Sequence, residues 1–265
     1  MGFKIQIEST IQHVAVVGDL HGKFNLLKYK IKQEKITNTV IIVAGDCGFG
    51  FEKEEYYKQT YNNLKKTLLE QNVCVIFVRG NHDDKKYFDG NRINFKNFIA
   101  VPDYSIISIN TESGVKNVLC VGGGISIDRT HRIESDRTYY KKSYWVDEFP
   151  VYEPDSLNEI SESGINIDIV VTHTAPDFAP LHDKNGISSW LLEDVNLFDD
   201  LNKEREVLTQ IYNHIVKKDK HKVKKWFYGH FHEHHFTTSE DGVDFIMLDM
   251  FIERNNVWDY YPIYF

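Results

Sequence analysis

Three cysteines in 265 residues leave little from which to build a disulfide framework. Their number is odd, and Cys74 in NVCVIFV and Cys120 in NVLCVGG sit in apolar, strand-like runs where a thiol packs as a small hydrophobe. A reducing compartment fits that usage. Long apolar stretches are missing as well, since runs such as VIIVAG fall far short of the roughly 20 residues a spanning helix needs. The opening MGFKIQIEST has no signal-peptide core, and Gln6 stands where a myristoylation pattern needs Ser or Thr. These absences predict a cytoplasmic protein with no membrane partner. Excess positive charge is lacking too. Lys and Arg total 31 against 39 Asp and Glu, a net of −8, which repels phosphate backbones at long range and speaks against nucleic acid as a partner. No repeat, low-complexity tract or Pro/Gly/Ser linker divides the chain, so one domain over residues 1–265 is expected. Gly122-Gly123-Gly124 lacks the GxGxxG spacing of a dinucleotide fingerprint.

What is present is apolar and patterned. Hydrophobic residues make up 42% of the chain, with 17 Phe, 15 Tyr and 4 Trp, enough to bury a core. In the first half, short β-branched runs alternate with amphipathic ones. Strands are expected at His13–Val17, Thr39–Ala44 and Val73–Val78, and helices at Phe24–Gln33 and Glu54–Glu70. That βαβαβ order implies adjacent, buried strands with helices packed outside. Tyr104–Asn110 and Val118–Val121 read as an antiparallel hairpin, and Ser126–Pro150 as irregular. Further on come a strand at Ile167–Thr172, a helix at Leu201–Val216, a strand at Lys224–Tyr228 and a hairpin around Glu240-Asp241-Gly242.

Polar groups gather where strands end. Gly18-Asp19-Leu20-His21-Gly22, Gly45-Asp46-Cys47-Gly48, Gly80-Asn81-His82-Asp83, Thr172-His173-Thr174 and Gly229-His230-Phe231-His232 each follow an apolar run. Each therefore emerges at a carboxyl edge, where α/β sheets bind ligands. Asp19, His21, Asp46, Asn81, His173, His230 and His232 offer two carboxylates, one amide and four imidazoles. Such a mixture suits Mn, Fe or Zn and disfavours Ca. Seven donors exceed what one transition ion needs, and two ions sharing a carboxylate fit the count.

Read in order, GDLHG, GDCG, GNHD, THTAP and GHFH resemble the motif series of the calcineurin-like metallophosphoesterase superfamily over residues 18–232. The middle stretch GGGISIDRTHR…SYWVDEFP looks like a bacterial subgroup. The resemblance implies a four-layer αββα sandwich with mixed sheets. It also implies two divalent transition-metal ions, Mn foremost with Fe, Zn or Ni as alternatives. Carried over by motif, Asp19, His21 and His232 would hold the first ion, Asn81, His173 and His230 the second, and Asp46 would bridge. His82 would be the catalytic histidine. The implied reaction is hydrolysis of a phosphomonoester or phosphodiester by a metal-bridging hydroxide, so a phosphate-ester substrate is the expected partner. A nuclease and a non-catalytic scaffold on the same fold are the rivals.

Departures matter as well. Phosphoprotein phosphatases of this superfamily continue the second motif as Gly-Asp-x-x-Asp-Arg-Gly, whereas here Phe49 and Gly50 replace the histidine-orienting Asp and the phosphate-binding Arg. The partner of His82 is then open between Asp83, Asp84 and a backbone carbonyl. Arg129, His131, Arg132 and Arg137 follow the triple glycine. Arg129 and Arg132 are candidates for a substrate-phosphate fork, against a solvated loop with salt bridges. KKDKHKVKK at 217–225 reads as a solvated helix end or a polyanion contact. Phe178, Trp190 and Tyr144 read as packing residues or as a stacking surface for an aromatic or nucleoside group. His182, His214, His221, His234 and His235 are expected at the surface. The partly helical segment near 174–223 separates His173 from His230, so it is expected to border the site.

Overall fold

The computed structural model describes residues 3–7, 11–179 and 187–251, together with the backbone of 253–254, 257–258 and 260–263. In chain order the elements are β1 (Lys4–Ile7), β2 (His13–Val17), α1 (Phe24–Gln33), β3 (Thr39–Val43), α2 (Glu54–Glu70), β4 (Val73–Phe77), β5 (Asn94–Phe95) and β6 (Phe98–Ala100). Next come β7 (Ser105–Thr111), β8 (Gly114–Val121), α3 (Arg129–Tyr139), α4 (Pro154–Glu162), β9 (Ile169–Thr172), α5 (Ile187–Glu193) and α6 (Leu197–Tyr212). The chain closes with β10 (Lys225–Tyr228), β11 (His235–Thr238), β12 (Asp244–Met247), β13 (Glu253–Arg254), β14 (Val257–Trp258) and β15 (Tyr260–Ile263).

Two mixed sheets result. One runs β15-β2-β3-β4-β6-β5 and the other β1-β7-β8-β9-β10-β12-β11. The central strands β2, β3, β4 and β6 are parallel, as are β8, β9, β10 and β12. Because strand side chains alternate, each central strand feeds two cores. In β2, Ala15 and Val17 pack against α1 and α2, among Phe24, Leu27, Tyr57 and Leu64. Val14 and Val16 face the inter-sheet core with Ile107, Val171 and Phe227. On the outer face of the second sheet, Val170, Trp226 and Tyr228 pack with Leu157 and Ile160 of α4 and Leu208 and Ile211 of α6. The layers are therefore α, β, β and α, as expected.

The expected strands and the helices α1 and α2 lie within a residue or two of their sequence readings, and the second hairpin strand extends back to Gly114. Ser126–Pro150 is less irregular than its pattern suggested, because α3 occupies its middle. This helix has no apolar stripe, and Arg129 alone among its residues is buried. Ion pairs hold it, so hydrophobic periodicity could not disclose it. The later helix begins at Leu197 and ends in a π-helical turn at Asn213–Lys218. His214 in that turn is buried against Tyr152 and Asn158, not at the surface. His234 and His235 are exposed, while His182 lies outside the described residues.

Candidate metal centre

Loops leaving β2, β3 and β4 of one sheet meet loops leaving β9 and β10 of the other at the same edge of the sandwich. Asp19 and Asp46 are buried there. Asp46 Oδ1 is 3.3 Å from His173 Nε2, and its Oδ2 is 4.0 Å from His21 Nε2 and 3.8 Å from His82 Nε2. Asp19 Oδ2 is 2.9 Å from His232 Nε2 and 3.8 Å from His21 Nε2, and the two ring nitrogens are 3.4 Å apart. Asn81 Oδ1 lies 2.8 Å from His173 Nε2 and 3.1 Å from His230 Nδ1. All seven expected ligands thus converge.

Two triads lie tight enough to hold an ion, Asp19 with His21 and His232, and Asp19 with Asp46 and His173. Asp19 belongs to both. The donor set fits divalent transition ions on two further observations. First, backbones have been brought up against the ligands. A Cβ on Gly45, whose φ is +102°, would lie 2.1 Å from His173 Nδ1, and one on Gly80 would lie 2.1 Å from Asp46 Oδ1. Second, Asp46 stays ionised despite its burial, as a cation-binding carboxylate must. Burial pushes the Asp46 carboxyl up, but His82, His173 and His21 outweigh it and hold it well below its ordinary value. Burial likewise opposes the His173 imidazolium, yet Asp46, Asp19 and the Ala44 carbonyl raise its pKa to about 9. His21, Asp46, His230 and His232 all adopt positive φ, between 44° and 70°. Asp and His tolerate that region better than most residues, though backbone strain of this kind gathers at functional sites.

The supporting contacts come from residues that the sequence reading passed over. His173 Nδ1 donates to the Ala44 carbonyl at 2.8 Å, which leaves Nε2 facing the centre. Asn81 Nδ2 donates to Ser126 Oγ at 2.9 Å, and Ser126 Oγ donates to Glu148 Oε2 at 2.7 Å. The Ser126 N–H reaches Glu148 Oε1 at 3.0 Å. Buried Glu148 therefore fixes which way the Asn81 amide points. Its one sequence signal was a place beside Asp147 in the aromatic run SYWVDEFP.

Neither Asp83 nor Asp84 orients His82. Asp83 accepts the N–H groups of Cys47, Gly48, Phe49 and Gly80 at 2.8–2.9 Å, clamping two motif loops together. Asp84 accepts from the Lys86 N–H and pairs with its ammonium. His82 Nε2 faces Asp46 and, 3.4 Å away, Arg132 Nη2. Burial, Arg132 and His21 lower the His82 pKa against the opposing pull of Asp46 and Asp128. Phe49 is buried among Phe24, Tyr57, Phe77 and Phe88, so the departure from the phosphoprotein-phosphatase motif became packing.

The two candidate arginines separate. Arg132 lines the cavity above the centre, its Nε donating to Asp128 Oδ1 at 2.7 Å. Arg129 does not line it. Its guanidinium is buried between Asp194 and Asp200 and pins α3 to the start of α6. Its charge is offset and its Nε and Nη2 are engaged there, away from the cavity where a phosphate would sit.

No helix among the described residues is long and apolar enough to cross a membrane. No curated protein matches the chain. Among solved structures, a dimetal phosphatase from Danio rerio is similar with a TM-score of 0.52 at 12% identity, over 97% of this chain and 93% of that one. A phosphopantetheinyl hydrolase from Mycobacterium tuberculosis aligns with a TM-score of 0.39 at 14% identity, over 90% and 89%. The model of the calcineurin-like phosphoesterases matches residues 12–234, a span that takes in every loop of the centre. The chain accordingly belongs to the calcineurin-like phosphoesterase family, hydrolases of phosphoric esters built around a dinuclear divalent metal centre.

Proposed function

We propose that the protein hydrolyses a small phosphomonoester or phosphodiester with two divalent transition-metal ions, Mn foremost. Asp19, His21 and His232 would hold the first, Asn81, His173 and His230 the second, and Asp46 would serve both. The observation that carries this reading is the position of Asp46, one oxygen toward His173 and the other toward His21. When bound, such ions supply a water acidic enough to ionise near neutral pH and offset charge on the phosphoryl oxygens. The remaining work falls to the chain. Asp128 holds the Arg132 guanidinium beside His82, where it can take a phosphoryl oxygen that the missing motif arginine would otherwise bind. The His82 imidazole, with Nε2 turned toward Asp46, is placed to protonate or hydrogen-bond the leaving oxygen. Glu148, through Ser126, keeps the Asn81 oxygen turned inward. Ser126 and Ile127 close one side of the cavity, and Ile187 and Trp190 of α5 close another, which supports residues 174–223 as an insertion of one domain that borders the site.

A net charge of −8 favours a small ester over nucleic acid. The presence of all seven candidate ligands and His82 favours an enzyme over a scaffold. Elemental analysis of protein reconstituted with Mn, Fe, Zn, Ni or Mg, alongside turnover of 4-nitrophenyl and bis(4-nitrophenyl) phosphate, tests the reading. Two equivalents of metal and turnover that Asp46→Ala abolishes are expected. Metal-replete protein inert toward both esters would overturn it.

A further inference from the structure

The cavity over the metal centre has two unlike walls. Asp46, Asn81, His82, His230 and His232 form the floor. Ile125, Ile127, Ile187, Trp190 and Phe231 also line the cavity, with Ile125 and Phe231 largely buried, around a volume of about 460 Å³, within the range of small-molecule sites. Of the three aromatic residues weighed for stacking, Trp190 is the one that reaches this space. Phe178 is spent on Tyr212 and Phe245, with ring centroids 4.8 and 5.5 Å away, and Tyr144 does not line the cavity. The Trp190 indole is half-buried on α5, its ring 6.5 Å from that of His131.

The charge inventory narrows the ligand further. Among the described residues lining the cavity, Arg132 supplies the sole Lys or Arg side chain, and it already stands beside His82 with Asp128 on its Nε. Among those described lining residues a second phosphate finds no further cationic side chain, and a desolvated, unpaired charge is costly. One phosphoryl group with an uncharged, apolar body fits both walls.

We propose that Ile125, Ile127, Ile187, Trp190 and Phe231 form a subsite for the alcohol portion of the substrate, and that this alcohol is aromatic and carries one phosphoryl group. The inference rests on the phosphoesterase reading and narrows it from esters in general to aryl-bearing monoesters. Trp190 is then a specificity residue that touches the leaving alcohol, while the phosphoryl group stays with Arg132 and the metal floor.

Benzylphosphonate and methylphosphonate test this without turnover, because they differ in the apolar body and share the phosphonate. Calorimetric titration of the metal-loaded protein should show benzylphosphonate binding about tenfold or more tightly than methylphosphonate. Trp190→Ala should weaken benzylphosphonate about fivefold or more, the lower bound for loss of an aromatic stacking partner, and leave methylphosphonate unchanged. Trp190→Phe should recover most of the difference. Equal affinities in the wild type, or a Trp190→Ala defect equal for both phosphonates, would overturn the subsite. Hydrolysis of 4-nitrophenyl phosphate measured on the same samples keeps the two readings apart. Selective binding without hydrolysis counts against the phosphoesterase reading, and hydrolysis without selectivity counts against the aromatic subsite. Neither binding nor hydrolysis counts against both.

Discussion

Replacing Asp83 with alanine removes the acceptor that four backbone N–H groups share. Cys47 and Gly80 donate to one carboxylate oxygen, and Gly48 and Phe49 to the other, all at 2.8–2.9 Å. The carboxylate is fully buried, so no solvent stands ready to replace it. A buried donor left unsatisfied costs roughly 1–3 kcal/mol, and four of them about 8 kcal/mol at the middle of that range. An opposing effect must be subtracted. Burial and the neighbouring Asp46 charge push the Asp83 pKa up from 3.8 to about 6 despite those donors. At pH 8 its ionised form therefore carries a penalty of about 3 kcal/mol, which alanine relieves. The orphaned N–H groups win. We expect Asp83→Ala to lose about 5 kcal/mol at pH 8, a large part of the roughly 5–15 kcal/mol that holds a domain folded. For a chain of this size that lowers Tm by roughly 10–20 °C. Urea denaturation of metal-free protein, followed by far-ultraviolet circular dichroism, measures it. Because Cys47 and Gly80 adjoin Asp46 and Asn81, metal affinity should fall as well. A stability loss under about 2 kcal/mol would refute the reasoning, since it would mean that the loops relax to satisfy their donors another way.

His82→Ala should keep both metals yet lose on the order of 10²–10⁴ in turnover, with a smaller loss on esters of good leaving groups such as nitrophenolate; metal loss on elemental analysis would return His82 to the ligands. Glu148, raised by burial to about 7 from 4.5, takes up its proton in the folded state before the unfolded chain does. Stability of the metal-free protein should therefore rise as pH falls from 8 toward 4.5, by up to about 3 kcal/mol. Glu148→Gln should remove that share of the slope in urea titrations run across the range, leaving the share from Asp83, whose pKa is also raised. Gly45→Ala places a methyl against His173 at a backbone φ of +102°, so it should weaken metal binding about 10- to 100-fold in a competition titration, and unchanged affinity would show that the ligand moves freely.

The strands were legible because short, continuous β-branched runs are written locally. His13–Val17, Thr39–Val43 and Val73–Phe77 are runs of β-branched and apolar residues buried on both faces, and no distant contact is needed to recognise them. The convergence of the seven candidate ligands was legible for a related reason, since each stands within a few residues of the end of such a run, where the strand fixes how the next side chains emerge. Helix α3 was not, because its stability comes from Arg129 reaching Asp194 and Asp200, more than 60 residues away, with no apolar stripe to mark it. The same distance explains why two arginines three positions apart looked equivalent in sequence. On the folded chain one is neutralised between two carboxylates and the other stands beside His82. Ser126 and Glu148 meet Asn81 across 45 and 67 positions by way of one hydroxyl, and no spacing rule connects them. Composition and periodicity report on neighbours along the chain, and so they determined which residues stand at the strand ends. Hydrogen bonds and ion pairs between remote segments exist once the sheets are packed, and that packing decided which of those residues converge at one edge, which hold the loops in place, and which line the cavity above them.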